Sequence, residues 1–168
     1  MKLSNMVESV LPAVVLGIFA LSLAPAPAEA STVTTTFAVT ATVVATCLVS
    51  ATPLAFGNYT GLVDPAASTV TVTCTNTTPY NVGLSAGLAT GATVANRSMT
   101  GPASALLGYG LFTNAGHSSN WGLTIGTDTV TGTGNGAAQP ITVFGQIPAS
   151  EFVAPGAYAD TITATVTF

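Results

Sequence analysis

Residues 158–168 read YADTITATVTF, and polar and apolar side chains alternate along most of this stretch. Threonine occupies every second position from Thr161 to Thr167. The apolar side chains on the other parity are Tyr158, Ile162, Ala164, Val166 and Phe168. Because successive side chains of a β-strand point to opposite faces, this pattern predicts a strand with a core face and a threonine face toward solvent. Asp160 shares the apolar parity, so either the strand starts after it or it caps a turn.

Similar segments recur throughout the chain after residue 30, where helical periodicity is absent. The pattern predicts strands near residues 33–43, 43–50, 53–59, 69–75, 79–86, 105–113, 121–125, 140–147 and 157–168. Turn-forming residues separate them, including Asp64-Pro65 and the glycine-rich run 132–136. Short strands at this spacing are typical of an all-β sandwich.

The amino-acid composition of the chain limits the classes of function that it can have. The chain has 168 residues, of which 48% are hydrophobic and 5% charged, with a net charge of −4. High apolar content with low net charge predicts a folded domain rather than a disordered chain. Lysine and arginine total two, so the electrostatic basis for binding nucleic acid is missing.

The first 30 residues are organised like a cleaved signal peptide. Lys2 gives a weakly positive start, an apolar run follows over residues 10–23, and residues 28–30 (AEA) fit a small-x-small cleavage site before Ser31. A transmembrane anchor is the alternative, but the run is shorter than the roughly 20 residues that span a bilayer, and Pro12 interrupts it. We therefore expect export, with residues 31–168 carrying no membrane span.

Cys47 and Cys74 are the two cysteines of the chain. In a small exported domain two cysteines usually pair, and closing a loop of this length contributes roughly 3.5 kcal/mol in the chain-entropy model. A metal site is the alternative, but His117 is the single histidine and no carboxylate lies near either cysteine in sequence. The sequence therefore favours a disulfide.

Residues 31–42 form an alternating segment directly after the export signal. Val33, Phe37, Val39 and Ala41 lie on one parity, and no glycine or proline occurs between residues 31 and 52 to turn the chain back as a hairpin. The segment has two options: pairing within its own sandwich, or insertion into another subunit by β-strand addition. Periodicity alone leaves both open.

Catalytic and cofactor chemistry finds no support in the sequence. His117 lies in a loop-like stretch, where a solvent-exposed histidine is expected, and the four carboxylates after residue 30 are isolated from one another. The run 132–136 lacks the lysine of a phosphate-binding loop. We expect Tyr109 and Trp121 to be core or interface residues rather than a sugar platform. We therefore expect no enzyme activity, no cofactor and no metal.

Seven short motifs make the chain resemble the spore coat U domain family, which includes the major subunits of archaic chaperone–usher pili. They are residues 45–49 (ATCLV), 54–59 (LAFGNY), 70–74 (VTVTC), 79–82 (PYNV), 143–147 (VFGQI), 156–161 (GAYADT) and 166–168 (VTF). Their order and spacing cover nearly all of residues 31–168. Both cysteines lie where the family places them.

The resemblance implies an incomplete immunoglobulin-like β-sandwich over residues 43–168, which lacks its last strand. Residues 31–42 correspond to a donor-strand extension. The donor side chains are Val33, Phe37, Val39 and Ala41. The border of the acceptor groove is formed by Tyr158, Ile162, Val166 and Phe168.

The resemblance also implies partners and a location. A periplasmic chaperone supplies the missing strand first, and the donor strand of an identical or related subunit replaces it at an outer-membrane usher. The chain is then exported through the periplasm to a fimbrium at the cell surface. A secreted spore- or cell-coat protein and a carbohydrate-binding adhesive module are the alternative functions.

Overall fold

The computed structural model describes residues 27–168. The chain divides into two units, Met1–Thr40 and Ala41–Phe168. The predicted signal peptide, residues 1–30, lies outside the described residues except for residues 27–30. Within the first unit, residues 27–40 have no strand and all are exposed.

The second unit is all-β. Its strands are β1 (Cys47–Ala51), β2 (Asp64–Cys74), β3 (Pro79–Leu84), β4 (Arg97–Thr100), β5 (Leu106–Phe112), β6 (Val130–Thr133), β7 (Gln139–Ile147) and β8 (Ala164–Thr167). A single 3-10 turn, Pro102–Ser104, lies between β4 and β5. Among residues 27–168, no helix has the length and hydrophobicity needed to cross a bilayer.

The strands form two antiparallel sheets, one of five strands in the order β1-β2-β7-β5-β4 and one of three strands in the order β6-β3-β8. The inward-facing side chains of both sheets meet in one core. From the larger sheet it takes Val70, Val72, Leu107, Leu111, Val143 and Ile147; from the smaller sheet, Tyr80, Val82 and Leu84. The prediction of an all-β sandwich from alternating segments is therefore confirmed.

Several predicted strand boundaries are wrong. Residues 33–43, 53–59 and 121–125 contain no strand, and the strand predicted over 157–168 is limited to β8. In the opposite direction, β4 and β6 were not expected. Alternation reports which residues could face a core, whereas a strand also requires a neighbouring edge with which to exchange hydrogen bonds.

Proline and glycine explain two further differences. Asp64-Pro65, predicted as a turn, begins β2; β1 pairs with β2 only from Val70 onward, so Pro65 lies where β2 has one neighbour and needs no second hydrogen bond. Gly132, predicted to lie in a flexible loop, belongs to β6 and pairs with Tyr80 of β3. A side chain at Gly132 would collide with the Tyr80 ring.

Candidate functional site: an open cleft along the core

An open cleft of about 420 Å³ runs beside the core of the second unit. One wall is residues 51–54, which continue from β1, and the other is residues 158–164, which lead into β8. Five core side chains also line it, namely Val70, Leu84, Tyr109, Leu111 and Val143. The core therefore reaches an open groove instead of being closed over by a further strand.

The apolar face of β1, the strand that leads into the first wall, is uncovered. Val49 and Ala51 pair in register with Val72 and Val70 of β2, and directly opposed residues share a face of the sheet. Both partners on β2 are fully buried, yet Val49 is 41% exposed and Ala51 is also exposed. The core face of β1 thus lacks a covering layer.

The β8 wall is an unpaired edge. Among the strands that the structure describes, β8 pairs only with β3, with Ala164 opposite Leu84 and Val166 opposite Val82. The predicted parity holds through this region, since Ile162, Ala164 and Val166 are half-buried whereas the four threonines from Thr161 to Thr167 are exposed. An edge strand with unpaired backbone groups is a template for another strand.

Asp160 anchors the stretch that precedes β8. Its carboxylate accepts hydrogen bonds from the Tyr109 hydroxyl at 2.6 Å, the Leu88 amide at 2.8 Å and the Thr161 amide at 2.7 Å. Burial, together with the hydrogen bond to Asp160, raises the pKa of Tyr109. Asp160 therefore lies before the strand, and the strand starts after it, which was one of the two expectations.

Arg97, at the start of β4, is 1% exposed. Its guanidinium donates to four backbone carbonyls, those of Leu84, Ser85, Val94 and Trp121, at 2.6 to 3.2 Å. Burial lowers the pKa of Arg97, because desolvation disfavours the charged form. Arg97 therefore ties the end of β3 to the backbone at residues 94 and 121.

The four residues predicted to border an acceptor groove lie at different depths. Tyr158 and Ile162 line the cleft, and the Tyr158 hydroxyl donates to the Ala154 carbonyl at 2.7 Å. Val166 is half-buried, and Phe168 is 58% exposed at the end of the chain.

The segment expected to act as a donor is fully accessible. Val33 is 91% exposed, Phe37 85% and Val39 84%, and Ala41 is also exposed. No residue from 31 to 46 lies in a strand. The alternating segment therefore presents its apolar side chains to solvent.

A second and wider cleft of about 1100 Å³ lies between residues 54–61 and residues 151–158. The Tyr59 hydroxyl ties these two loops together, because it donates to the Pro148 carbonyl at 2.6 Å and accepts from the Glu151 amide at 3.1 Å. Phe152, in one of the loops, is 89% exposed. The two clefts share Leu54, Phe56, Met99 and Tyr158.

Other residues singled out in the sequence have structural roles. Cys47 and Cys74 form a disulfide that joins β1 to β2. Trp121 is fully buried and donates from its indole nitrogen to the Val82 carbonyl at 2.8 Å. His117 is half-buried against the Phe112 ring, so the expectation of a solvent-exposed loop histidine was wrong. Within residues 27–168, no three metal-ligating side chains gather at one place.

Sequence reasoning missed the Tyr109–Asp160 pair and the buried guanidinium. The two members of the pair are 51 positions apart, so their contact has no local signature. For Arg97 there was a faint signal: no lysine and no other arginine follows residue 30. A lone cation in such a chain is more often exposed than buried, so the signal was too weak to use.

Comparison with known proteins places these features in a family. The model of the Spore Coat Protein U domain matches residues 33–165, which include both walls of the cleft and most of the exposed segment. No curated protein is similar enough to count as a match.

A solved structure is also similar. It is a chain in the crystal structure of the CsuC-CsuE chaperone–tip adhesion subunit pre-assembly complex from the archaic chaperone-usher Csu pili of Acinetobacter baumannii. The TM-score is 0.58 and the identity 26%, over 76% of the present chain, which spans 41% of the length of the matched chain. Together with the immunoglobulin-like sandwich and the family match over most of its length, this shows that the chain belongs to the Spore Coat Protein U domain family.

Proposed function

We propose that this protein is a structural subunit of a surface pilus, assembled by donor-strand exchange through a periplasmic chaperone and an outer-membrane usher. The observation that carries the proposal is the open cleft, with core side chains in its lining and an unpaired strand edge on one wall. In the similar solved structure, a subunit of archaic chaperone-usher pili is held in a complex with a chaperone. The role is structural rather than catalytic.

The energetics favour filling the cleft with a strand. An open groove that exposes apolar side chains beside unpaired backbone groups is an aggregation hazard. Burying Phe37, Val39 and Val43 of an incoming strand would stabilise the assembly by roughly 4.5–9 kcal/mol as an upper estimate, at about 1.5–3 kcal/mol per side chain. Each backbone hydrogen bond adds about 1 kcal/mol. Ordering the incoming segment opposes these gains by about 1–2 kcal/mol per residue.

Residues 31–42 are the proposed donor. They carry an alternating apolar face, they are exposed, and they contain no strand of their own. The same segment cannot form a hairpin with β1, because no turn residue separates the two. A subunit thus carries both a strand to give and a cleft to receive one, which is what a linear polymer needs.

Export is the second part of the proposal. Residues 1–30 serve as a cleaved signal peptide, and the chain passes through the periplasm to the cell surface. The Cys47–Cys74 disulfide supports this location, because disulfides form and persist in oxidising compartments. The periplasmic chaperone protects the cleft until the next subunit arrives.

Deletion of residues 31–42 tests the proposal. The truncated chain, expressed with its signal peptide and a chaperone of the same assembly system, should still bind the chaperone but form no SDS-resistant polymer. A matched control changes Thr34 and Thr36 to serine, which keeps the apolar row and should leave the polymer intact. Polymers formed by the truncated chain would contradict the assignment of the donor.

A further inference from the structure

Two rows of side chains in this chain have complementary sizes. The donor row, on one parity of the exposed segment, is Val33, Thr35, Phe37, Val39, Ala41 and Val43. The acceptor row, on the inward parity of the cleft wall and β8, is Tyr158, Asp160, Ile162, Ala164, Val166 and Phe168. Each row has one alanine, one polar residue and a small number of bulky side chains. Such rows fit together well in few registers.

The direction of the added strand follows from the sheet it would join. β8 runs antiparallel to β3, and β3 runs antiparallel to β6. Antiparallel pairs are slightly more stable per residue than parallel pairs, and sheets of one kind are over-represented. A strand added at the free edge of β8 therefore extends this sheet best in the antiparallel direction.

The position of the smallest acceptor side chain selects the register. Ala164 pairs with Leu84 on β3 and lines the cleft together with Leu111 and Val143. Above Ala164 the groove has room, because alanine contributes a single methyl group beside these core side chains. Phe37 is the largest side chain of the donor row, and packing an aromatic ring here fills the space that Ala164 leaves.

The polar positions agree with the same register. With Phe37 opposite Ala164, Ala41 lies opposite Asp160, and a methyl group leaves the hydrogen bond from Tyr109 to Asp160 undisturbed. A shift of two residues in one direction would bring Thr35 over Ala164 and place its hydroxyl beside Leu84 and Leu111, whose side chains offer no hydrogen bond. The opposite shift would place Phe37 against the bulkier Val166.

We propose that residues 33–43 of one copy add antiparallel to residues 158–168 of a second copy with Phe37 directly opposite Ala164. This places Val39 opposite Ile162 and Val43 opposite Tyr158. The proposal deepens the donor-strand function and rests on it, because the occupant of the cleft is a second copy of this chain.

Cysteine cross-linking tests the register on the outward face, where side chains are exposed threonines. In the proposed register Thr36 lies opposite Thr165, so the full-length variant T36C/T165C should give a covalent ladder on non-reducing gels after boiling in SDS. The Cβ atoms of directly opposed residues on neighbouring strands are about 4.5–5.5 Å apart. Diagonal neighbours are about 7–8 Å apart, which is beyond the reach of an unstrained disulfide. The native disulfide is present in every variant.

Three matched variants report the competing registers. T34C/T165C and A38C/T165C report shifts of two residues in either direction. T36C/T163C gives a ladder both in a parallel strand and in the shift that T34C/T165C reports, so a ladder from T36C/T163C without one from T34C/T165C reports a parallel strand. A ladder from any of these, with none from T36C/T165C, overturns the register while the polymer and the donor function stand. If only cross-linked monomer forms, the two cysteines meet within one chain. That result would contradict a second copy as the occupant of the cleft. If unmodified chain forms no polymer, the donor function itself fails.

A size exchange provides an independent readout. Ala164→Leu fills the space opposite Phe37 and should cause loss of SDS-resistant polymer, and adding Phe37→Ala should restore it. Ala95→Leu, the same substitution at an exposed position outside both clefts, is the matched control and should polymerise like the unmodified chain. Failure of Phe37→Ala to restore polymer, in an Ala164→Leu chain that still binds chaperone, contradicts the pairing.

Discussion

Residues 31–43 and residues 158–168 have nearly the same pattern and opposite surroundings. Both alternate threonines with apolar side chains. The first stretch is exposed at every position and contains no strand, whereas the second has its apolar row half-buried and ends in β8. The difference shows that alternation makes a segment competent to be a strand, and that a free edge beside it decides whether it becomes one.

The largest expected effect comes from placing the same charge in each stretch. Val166→Asp puts a carboxylate beside the fully buried Val82, so we expect a loss of more than about 3 kcal/mol in the free energy of unfolding, or no folded protein. Val39→Asp alters an exposed side chain, so the monomer should keep its stability but lose SDS-resistant polymer. Urea unfolding of purified monomer and gel analysis of polymers measure the two outcomes. Equal loss of monomer stability in both variants would contradict the difference in burial between the two stretches.

The disulfide should have the next largest effect. Cys47 is the first residue of β1, and its bond to Cys74 fixes the uncovered wall of the cleft to β2. The double variant C47S/C74S should lower the free energy of unfolding by about 3–4 kcal/mol, because the unfolded chain regains loop entropy. Thermal unfolding under non-reducing conditions, with unmodified chain under reducing conditions as a control, measures this. An unchanged melting temperature would show that β1 is held by pairing alone.

Tyr109→Phe tests how the second stretch is anchored. Loss of the hydroxyl leaves Asp160 with two backbone donors, so we expect about 1–3 kcal/mol of destabilisation at neutral pH.

The same variant should change the alkaline behaviour of the protein. The pKa of Tyr109 is raised in the folded state, while an unfolded tyrosine titrates near about 10. The contribution of Tyr109 to stability is therefore fully present below that pH and is lost as pH rises above it, because the unfolded chain then releases a proton that the folded chain retains. The free energy of unfolding, measured at several alkaline pH values, should fall less steeply with pH for Tyr109→Phe than for the unmodified chain. Parallel curves would contradict this role of the hydroxyl.

The smallest effects are expected on the outward faces of the two stretches. Thr40→Ser and Thr165→Ser change exposed side chains, so each should alter the free energy of unfolding by less than about 0.5 kcal/mol and leave polymer yield unchanged. Chemical denaturation and polymer gels check both. A large effect of Thr165→Ser would show that the threonine face of β8 also makes contacts in the polymer.

Much of the candidate site was accessible from sequence through the inward parity of Tyr158, Ile162 and Val166. The parity held even where the backbone is not a regular strand. What failed was the extent of pairing: residues 53–59 and 121–125 look like strands but contain none, and the four-residue strands β4 and β6 were not predicted. Pairing depends on a partner edge far away in the chain, which a local pattern does not contain.

The sequence by itself determined the all-β class, the face on which each side chain of the alternating stretches lies, and the likeness to a family, because these follow from the two-residue repeat of the strand backbone and from local motifs. Tertiary structure alone decided that Pro65 could lie in a strand, that Arg97 is buried among carbonyls, that Tyr109 holds Asp160, and that the core opens into a cleft. Each of these depends on which distant strands meet, and on where the two sheets leave an edge without a neighbour.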